Sequence, residues 1–340
     1  MSSVTVSDRM RSLGFVGICL VILMHMMRLP NEWWAGGANA ITTDQLVANI
    51  SIVACLGKLA VPLFFVMSGY WLAVAHRARN EQWKQAVVKR VRSLLLPMII
   101  WSVIALAYEA LAGRLRVPSA EYWYLPREVN QFWYYRTLFV YVVMSPFFLW
   151  LCKNWIVGLA MAGILWLLAF VGCPGQHRYF MWINESAFTF GIVCGLHPSR
   201  IAGCFSWARS IRWRWLFCSF VSLVVLTTLS AVFRRRVLYI RLIYLIIPTG
   251  CLVLWKLSPF LAKILGRIKG LYSLNVFIFA VHFVVLWKVG DALAFIGWNR
   301  MSVAFMCIQY ALILTICVSS GLLIQRFFPG VLRFLSGGRG

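Results

Sequence analysis

Ten apolar runs, each near the length that crosses a bilayer, leave little of this chain for anything else. They cover residues 13–29, 54–75, 94–112, 137–152, 155–172, 182–196, 215–232, 239–256, 271–289 and 303–323. A helix rises about 1.5 Å per residue, so a hydrocarbon core of about 30 Å takes roughly 20 residues. The runs at 137–152 and 182–196 are short, and their edges are the least defined. Of 340 residues, 62% are hydrophobic and 12% charged. A soluble domain carries about 45–50% apolar and about 25% charged residues, so a water-soluble globule cannot hide this surplus. Continuous runs, rather than short alternating ones, also exclude a membrane β-barrel. The expectation is an all-α polytopic membrane protein of about ten transmembrane helices.

Lys and Arg number 33 against 9 Asp and Glu, a formal net charge of +24. In a soluble protein such an excess would point to nucleic acid. In a membrane protein it gathers in cytoplasmic loops, so no nucleic-acid partner is expected. An even number of spans puts both termini on one side. Segments on the N-terminal side carry 20 Lys and Arg and those opposite carry 10, which makes that side cytoplasmic. Arg234-Arg235-Arg236 runs against this bias, since it would face outward. The chain thus divides into a cytoplasmic segment (1–12), an integral membrane domain (13–323) and a basic cytoplasmic tail (324–340). The first run lacks a small-residue cleavage site and continues into Met26-Met27-Arg28, so it reads as a retained span, not a signal peptide. Loops 30–53 and 113–136 are rich in Trp and Tyr, which favour the membrane interface. No internal repeat is visible, which weakens a reading as a transporter built from inverted halves.

The 10 cysteines form no C-x-x-C pair and no Cys/His cluster with zinc spacing. Neither a metal site nor a disulfide framework is expected.

Ionisable groups inside spans are costly and usually functional. Here they are His25, Lys58, Glu185, Arg241, His282 and Lys288. Arg241 and Lys288 lie near span ends, where long side chains can reach the interface. His25 and His282 both lie roughly 17 Å from the inner surface, counted at 1.5 Å per residue. Equal depth suggests one shared polar cavity; the plainer alternative is two packed histidines, each bonded to a neighbouring helix. In the second span, Pro62 should kink a helix and free a carbonyl, and Ser68-Gly69 offers a small face for close approach. Lys89, Arg90 and Arg92 follow. They either set topology or hold phosphates.

Taken together, several stretches resemble the membrane-bound acyltransferase family 3, which acylates sugars of surface polysaccharides and related glycans. They are Ser12-Leu13-Gly14-Phe15 with the run to His25, and Val61-Pro62-Leu63-Phe64-Phe65-Val66-Met67-Ser68-Gly69-Tyr70. Lys89 through Pro97 and Trp101 follows, then Phe132-Trp133-Tyr134-Tyr135-Arg136-Thr137-Leu138-Phe139. The last are Asn184-Glu185-Ser186-Ala187-Phe188 with Gly191 and Gly195, and Phe277-Ile278-Phe279-Ala280-Val281-His282. One departure stands out. The family carries Arg eleven positions before the first histidine, where this chain has Gly14; either Arg11, one turn earlier, substitutes, or Arg136 supplies the cation, or the activity of this member is weakened or altered.

The resemblance implies transfer of an acyl group, acetyl being the expectation, from acyl-coenzyme A to a hydroxyl of a surface-glycan or lipid-linked sugar. It implies a bacterial inner-membrane setting, no bound cofactor and no metal. Acyl-coenzyme A, the saccharide acceptor, membrane lipid and glycan-assembly proteins are the partners it suggests. His25 is the expected base, because a neutral imidazole suits that task near neutral pH. His282 would position the acceptor or the thioester. Ser68, Arg136 or a backbone N–H near Pro62 could hold the oxyanion. Glu185 would orient an imidazole or hold a sugar hydroxyl, or else pair with an interfacial Arg. Lys58, Arg11, Arg90, Arg92 and Trp133 complete the expected binding set, with Trp33, Trp34, Trp123, Tyr124 and Tyr134 as aromatic candidates to stack on a sugar. A glycolipid transporter or flippase would use the same cavity without bond chemistry.

Overall fold

The computed structural model describes residues 4–26, 43–79, 82–111, 132–172, 177–204, 212–298 and 302–338; among them there is no strand. In chain order the helices are α1 (Val6–His25), α2 (Thr43–Ala48), α3 (Cys55–Gly57), α4 (Ala60–Arg79), α5 (Trp83–Arg90) and α6 (Leu96–Leu111). Then come α7 (Trp133–Val143), α8 (Ser145–Leu151), α9 (Trp155–Val171), α10 (His177–Leu196) and α11 (Pro198–Cys204). The remainder are α12 (Trp213–Val232), α13 (Arg236–Leu265), α14 (Asn275–Phe295), α15 (Val303–Phe327) and α16 (Pro329–Leu335). Two π-helical stretches, Asn49–Ala54 and Val91–Leu95, join α2 to α3 and α5 to α6.

Every predicted run falls on helix, but the count by length and composition is lower than ten. Among the described residues six helical stretches are long and apolar enough to cross a membrane, or seven if the bent pair α7–α8 is one span. The shortfall has local causes. The first two turns of α1 carry Asp8, Arg9 and Arg11. Helix α9 has only 17 residues. Helices α7 and α8 meet at 62°. That bend follows from Pro146 near the start of α8, which has no N–H to continue the ladder. The outer faces stay apolar and exposed, as at Ile99, Val103, Leu167, Leu168 and Leu226. Such a surface fits lipid rather than water, and the chain is an integral membrane protein.

Three boundaries differ from the sequence reading. Helix α1 starts at Val6, because Thr5 and Asp8 form a reciprocal capping box. Residues 6–12 are therefore its first turns. Pro62 does not kink a helix. It is the third residue of α4, a position whose N–H has no helical partner in any case. The break lies just before it, in the turn Lys58–Leu59. Nor are the last residues a free tail. Helix α16 folds back on α6, where Trp101 Nε1 donates to the Leu335 carbonyl at 3.1 Å. Gly337, at φ 63°, follows that turn against Pro97.

Helices α4 and α10 pack through small residues. A Cβ at Gly69 would overlap the Phe188 carbonyl, and one at Gly191 the Val66 carbonyl. A Cβ at Gly195 would stand 2.7 Å from both the Tyr70 carbonyl and the Ala73 Cβ. Residue numbers rise together along both helices, so they run parallel, backbone against backbone. This is the close small-residue contact that membrane helices favour.

Candidate active site

Helix α1 ends on His25, and α14 passes beside it. The imidazoles of His25 and His282 lie with ring centroids 5.3 Å apart at 36°. Phe283 meets His25 edge-on at 5.3 Å. His25 is half-buried, whereas His282 is 0% exposed. The two histidines of equal depth are thus in contact. His282 is also held by its own helix: Nδ1 lies 2.8 Å from the Phe279 carbonyl and 3.2 Å from the Ile278 carbonyl. Its Nε2 is buried without a hydrogen-bond partner.

Lys58 comes into this site through a glycine. A Cβ on Gly57 would stand 2.8 Å from the Met24 Cα, so only glycine lets the turn approach the end of α1 this closely. Lys58, the next residue, is half-buried and near enough to act electrostatically on His25. Its carbonyl is the one that Pro62 cannot bond, so the break supplies both a cation and a loosened backbone.

A wall of aromatic rings adjoins the pair. Phe279 lies 5.9 Å from His282 and stacks on Tyr135 at 5.0 Å and 8°. Tyr134 meets Phe279 at 6.2 Å and Phe65 at 5.0 Å. The Tyr134 hydroxyl and Ser68 Oγ are 3.4 Å apart, which connects Ser68 to this wall. Trp133, half-buried, opens α7, and its carbonyl accepts from Thr137 Oγ1 at 2.9 Å.

Glu185 lies on α10 close to Tyr141 of α7. Asn184 was not singled out as a site residue, and its setting is unusual. It is 0% exposed, and both atoms of its amide lack a partner among the described residues. The α4–α10 register puts Asn184 level with Leu59–Pro62, beside the break that carries Lys58. A neutral amide leaves no mark in a charge count, which is why Glu185 stood out and Asn184 did not.

Arg136 is exposed on α7, and Arg11 is exposed on α1. Gly14 faces α14, where the Asn275 amide fills the adjoining space; a Cβ at Gly14 would stand 3.2 Å from Asn275 Nδ2. The arginine of α1 that is engaged is Arg9. Its guanidinium lies 3.7 Å over the Trp255 ring and donates to Ser258 Oγ and the Trp255 carbonyl, both at 2.7 Å. Arg241 and Lys288 are exposed, as their places near span ends suggested.

At the other end of α4, Lys89 and Arg90 line a pocket of about 210 Å³ with Trp71, Leu72, Val74, Ala75 and Ala86. Arg92, in the π-helical stretch, is exposed. Trp33, Trp34, Trp123 and Tyr124 lie outside the described residues. Among the described residues no His, Cys, Asp and Glu group could hold a metal, and no disulfide joins the described cysteines.

No curated protein and no solved structure matches this chain. A family model does. The acyltransferase domain of acyltransferase family 3 matches residues 13–322, nearly the whole chain, and takes in both histidines, the Lys58 break and the α4–α10 seam. The chain belongs to that family and is a membrane acyltransferase.

Proposed function

We propose that this enzyme transfers an acyl group, acetyl by preference, from acyl-coenzyme A to a hydroxyl of a surface-glycan or lipid-linked sugar in the bacterial inner membrane. Both termini lie in the cytoplasm, and ten helices cross the membrane. The observation that supports the chemistry best is the contact of His25 with His282 at the end of α1. The half-buried His25 takes the hydroxyl proton as the sugar oxygen attacks the thioester carbon. Lys58, or the hydroxyls of Ser68 and Tyr134, holds the oxyanion that forms. The C–S bond then breaks, and the thiolate of coenzyme A recovers the proton from His25. Glu185 and Asn184 hold hydroxyls of the acceptor.

The donor's phosphates sit at Lys89 and Arg90. From Lys58 to Ala75 is 17 residues, about 25 Å along the helices at 1.5 Å per residue. The long, thin arm of coenzyme A runs along α4 between the two places, and Trp71 flanks its wide end.

Purified protein in lipid nanodiscs, given acetyl-coenzyme A and a lipid-linked saccharide, should release free coenzyme A in step with acylated saccharide. His25→Ala should lower kcat by about 10²- to 10⁴-fold and leave the donor KM nearly unchanged. Acceptor movement across the bilayer with no coenzyme A release, in wild type and variant alike, would instead mark a flippase.

A further inference from the structure

His282 is held in one tautomer by its own helix. Backbone carbonyls only accept hydrogen bonds, so the 2.8 Å contact with the Phe279 carbonyl requires a proton on Nδ1. A neutral ring then carries its lone pair on Nε2, the atom that is buried without a partner. An unsatisfied acceptor away from water is costly, so the site favours a donor there.

The ring against it is His25, at 5.3 Å between centroids. A direct N–H···N bond of about 2.9 Å between two imidazoles sets their centroids roughly 5 Å apart. The bond is open in this structure, and rotation of the half-buried His25 ring would close it. His282 is 0% exposed whereas His25 is half-buried, so a nitrogen that meets the acceptor belongs to His25.

We propose that His282 is a positioning residue that sets the proton on His25, and does not touch acceptor or thioester. This rests on the reading of His25 as the base. The His25 nitrogen facing His282 keeps its proton and donates it to His282 Nε2. Its other nitrogen then carries the lone pair and faces the sugar hydroxyl. When that nitrogen takes the hydroxyl proton, His25 becomes an imidazolium, and its bond to His282 becomes charge-assisted and shorter. His282 holds Nδ1–H throughout and is never itself protonated. After the C–S bond breaks, the proton passes from His25 to the departing thiolate, and both rings return to their starting forms.

The test compares His282→Gln, whose side-chain oxygen can still accept near the Nε2 position, with His282→Ala, and adds nitrogen-15 spectra of histidine-labelled protein in nanodiscs. The spectra should show one buried histidine as the Nδ1–H tautomer at neutral pH, lost in both His282 variants and kept in His25→Ala. His282→Ala should lower kcat on the order of 10²-fold with both KM values unchanged, and His282→Gln should recover at least tenfold of that loss. An Nε2–H tautomer at His282 overturns the proposal. So does a His282→Gln variant as slow as His282→Ala, or a change confined to the acceptor KM. If His282→Ala does not insert, the spectra and the glutamine variant decide alone. Full activity in His25→Ala would sink the base assignment instead, while the tautomer result would still stand or fall by itself.

Discussion

Gly57 packs on the backbone of Met24, with no room for a side chain between them, and this contact sets Lys58 beside His25. Gly57→Ala should therefore push the turn away from α1. Overpacking of this kind costs about 1–3 kcal/mol. The expected outcome is a lower melting temperature in detergent together with a fall in kcat. Gly163→Ala serves as the control, because its side chain would enter open space. Equal behaviour of the two variants would show that the turn yields freely.

A larger effect is expected at the seam between α4 and α10. Gly191→Leu places a branched side chain where the Val66 carbonyl lies, and no rotamer avoids it. Well-folded protein should drop to a small fraction of wild type by size-exclusion chromatography. Gly163→Leu should express normally.

Lys89, Arg90 and Arg92 separate two roles that their composition alone leaves mixed. Lys89 and Arg90 line a pocket and Arg92 does not. Hydrogen bonds to charged groups contribute about 1.5–3 kcal/mol, so Lys89→Gln with Arg90→Gln should raise the donor KM tenfold or more and spare the acceptor KM. Arg92→Gln should change neither. If all three substitutions act alike, or none acts, these residues serve topology.

Reporter fusions test the layout. With ten spans and cytoplasmic ends, a reporter inserted after Lys84 reads cytoplasmic and one after Arg235 reads external. The second position matters most, because three arginines stand there against the usual bias. Arg234 also adopts φ 55° in the tight turn between α12 and α13. Both reporters on one side would remove the proposed layout.

How much of this was legible in the residues differs from group to group. His25 and His282 stood out because ionisable side chains are rare in apolar runs, and depth counting paired them correctly. Depth counting works because helices convert sequence distance into height at a constant rate. It says nothing about rotation around the axis. That is why sequence alone could not say which face Arg9, Arg11 and Arg136 occupy. Tyr134, Tyr135 and Phe279 belong to the matching stretches, but the stacking of Phe279 on Tyr135 needs two helices brought together from 144 residues apart. The break at Lys58 was placed a turn late, at Pro62, since a proline in the first turn is tolerated and it is the residues before it that lose regularity. Asn184 carried no charge to draw attention, and only burial makes its unpaired amide conspicuous. Among the described residues the count by length and composition falls to six or seven for a similar reason: length and apolarity identify a helix that could cross, and the charged start of α1 or the bend at Met144 depends on neighbours.

The seam between α4 and α10 also carries a schedule. Gly69 leaves the ribosome 122 residues before Gly191. At about 5–20 residues per second, the first glycine face waits roughly 6–24 seconds for its partner. During that interval α4 stands in the bilayer with bare backbone turned toward lipid or toward whatever insertion machinery shelters it, and a wrong helix could occupy the groove. Slowing translation between the two segments should then raise the share of misassembled chains, while speeding it should lower that share, with the mature sequence unaltered.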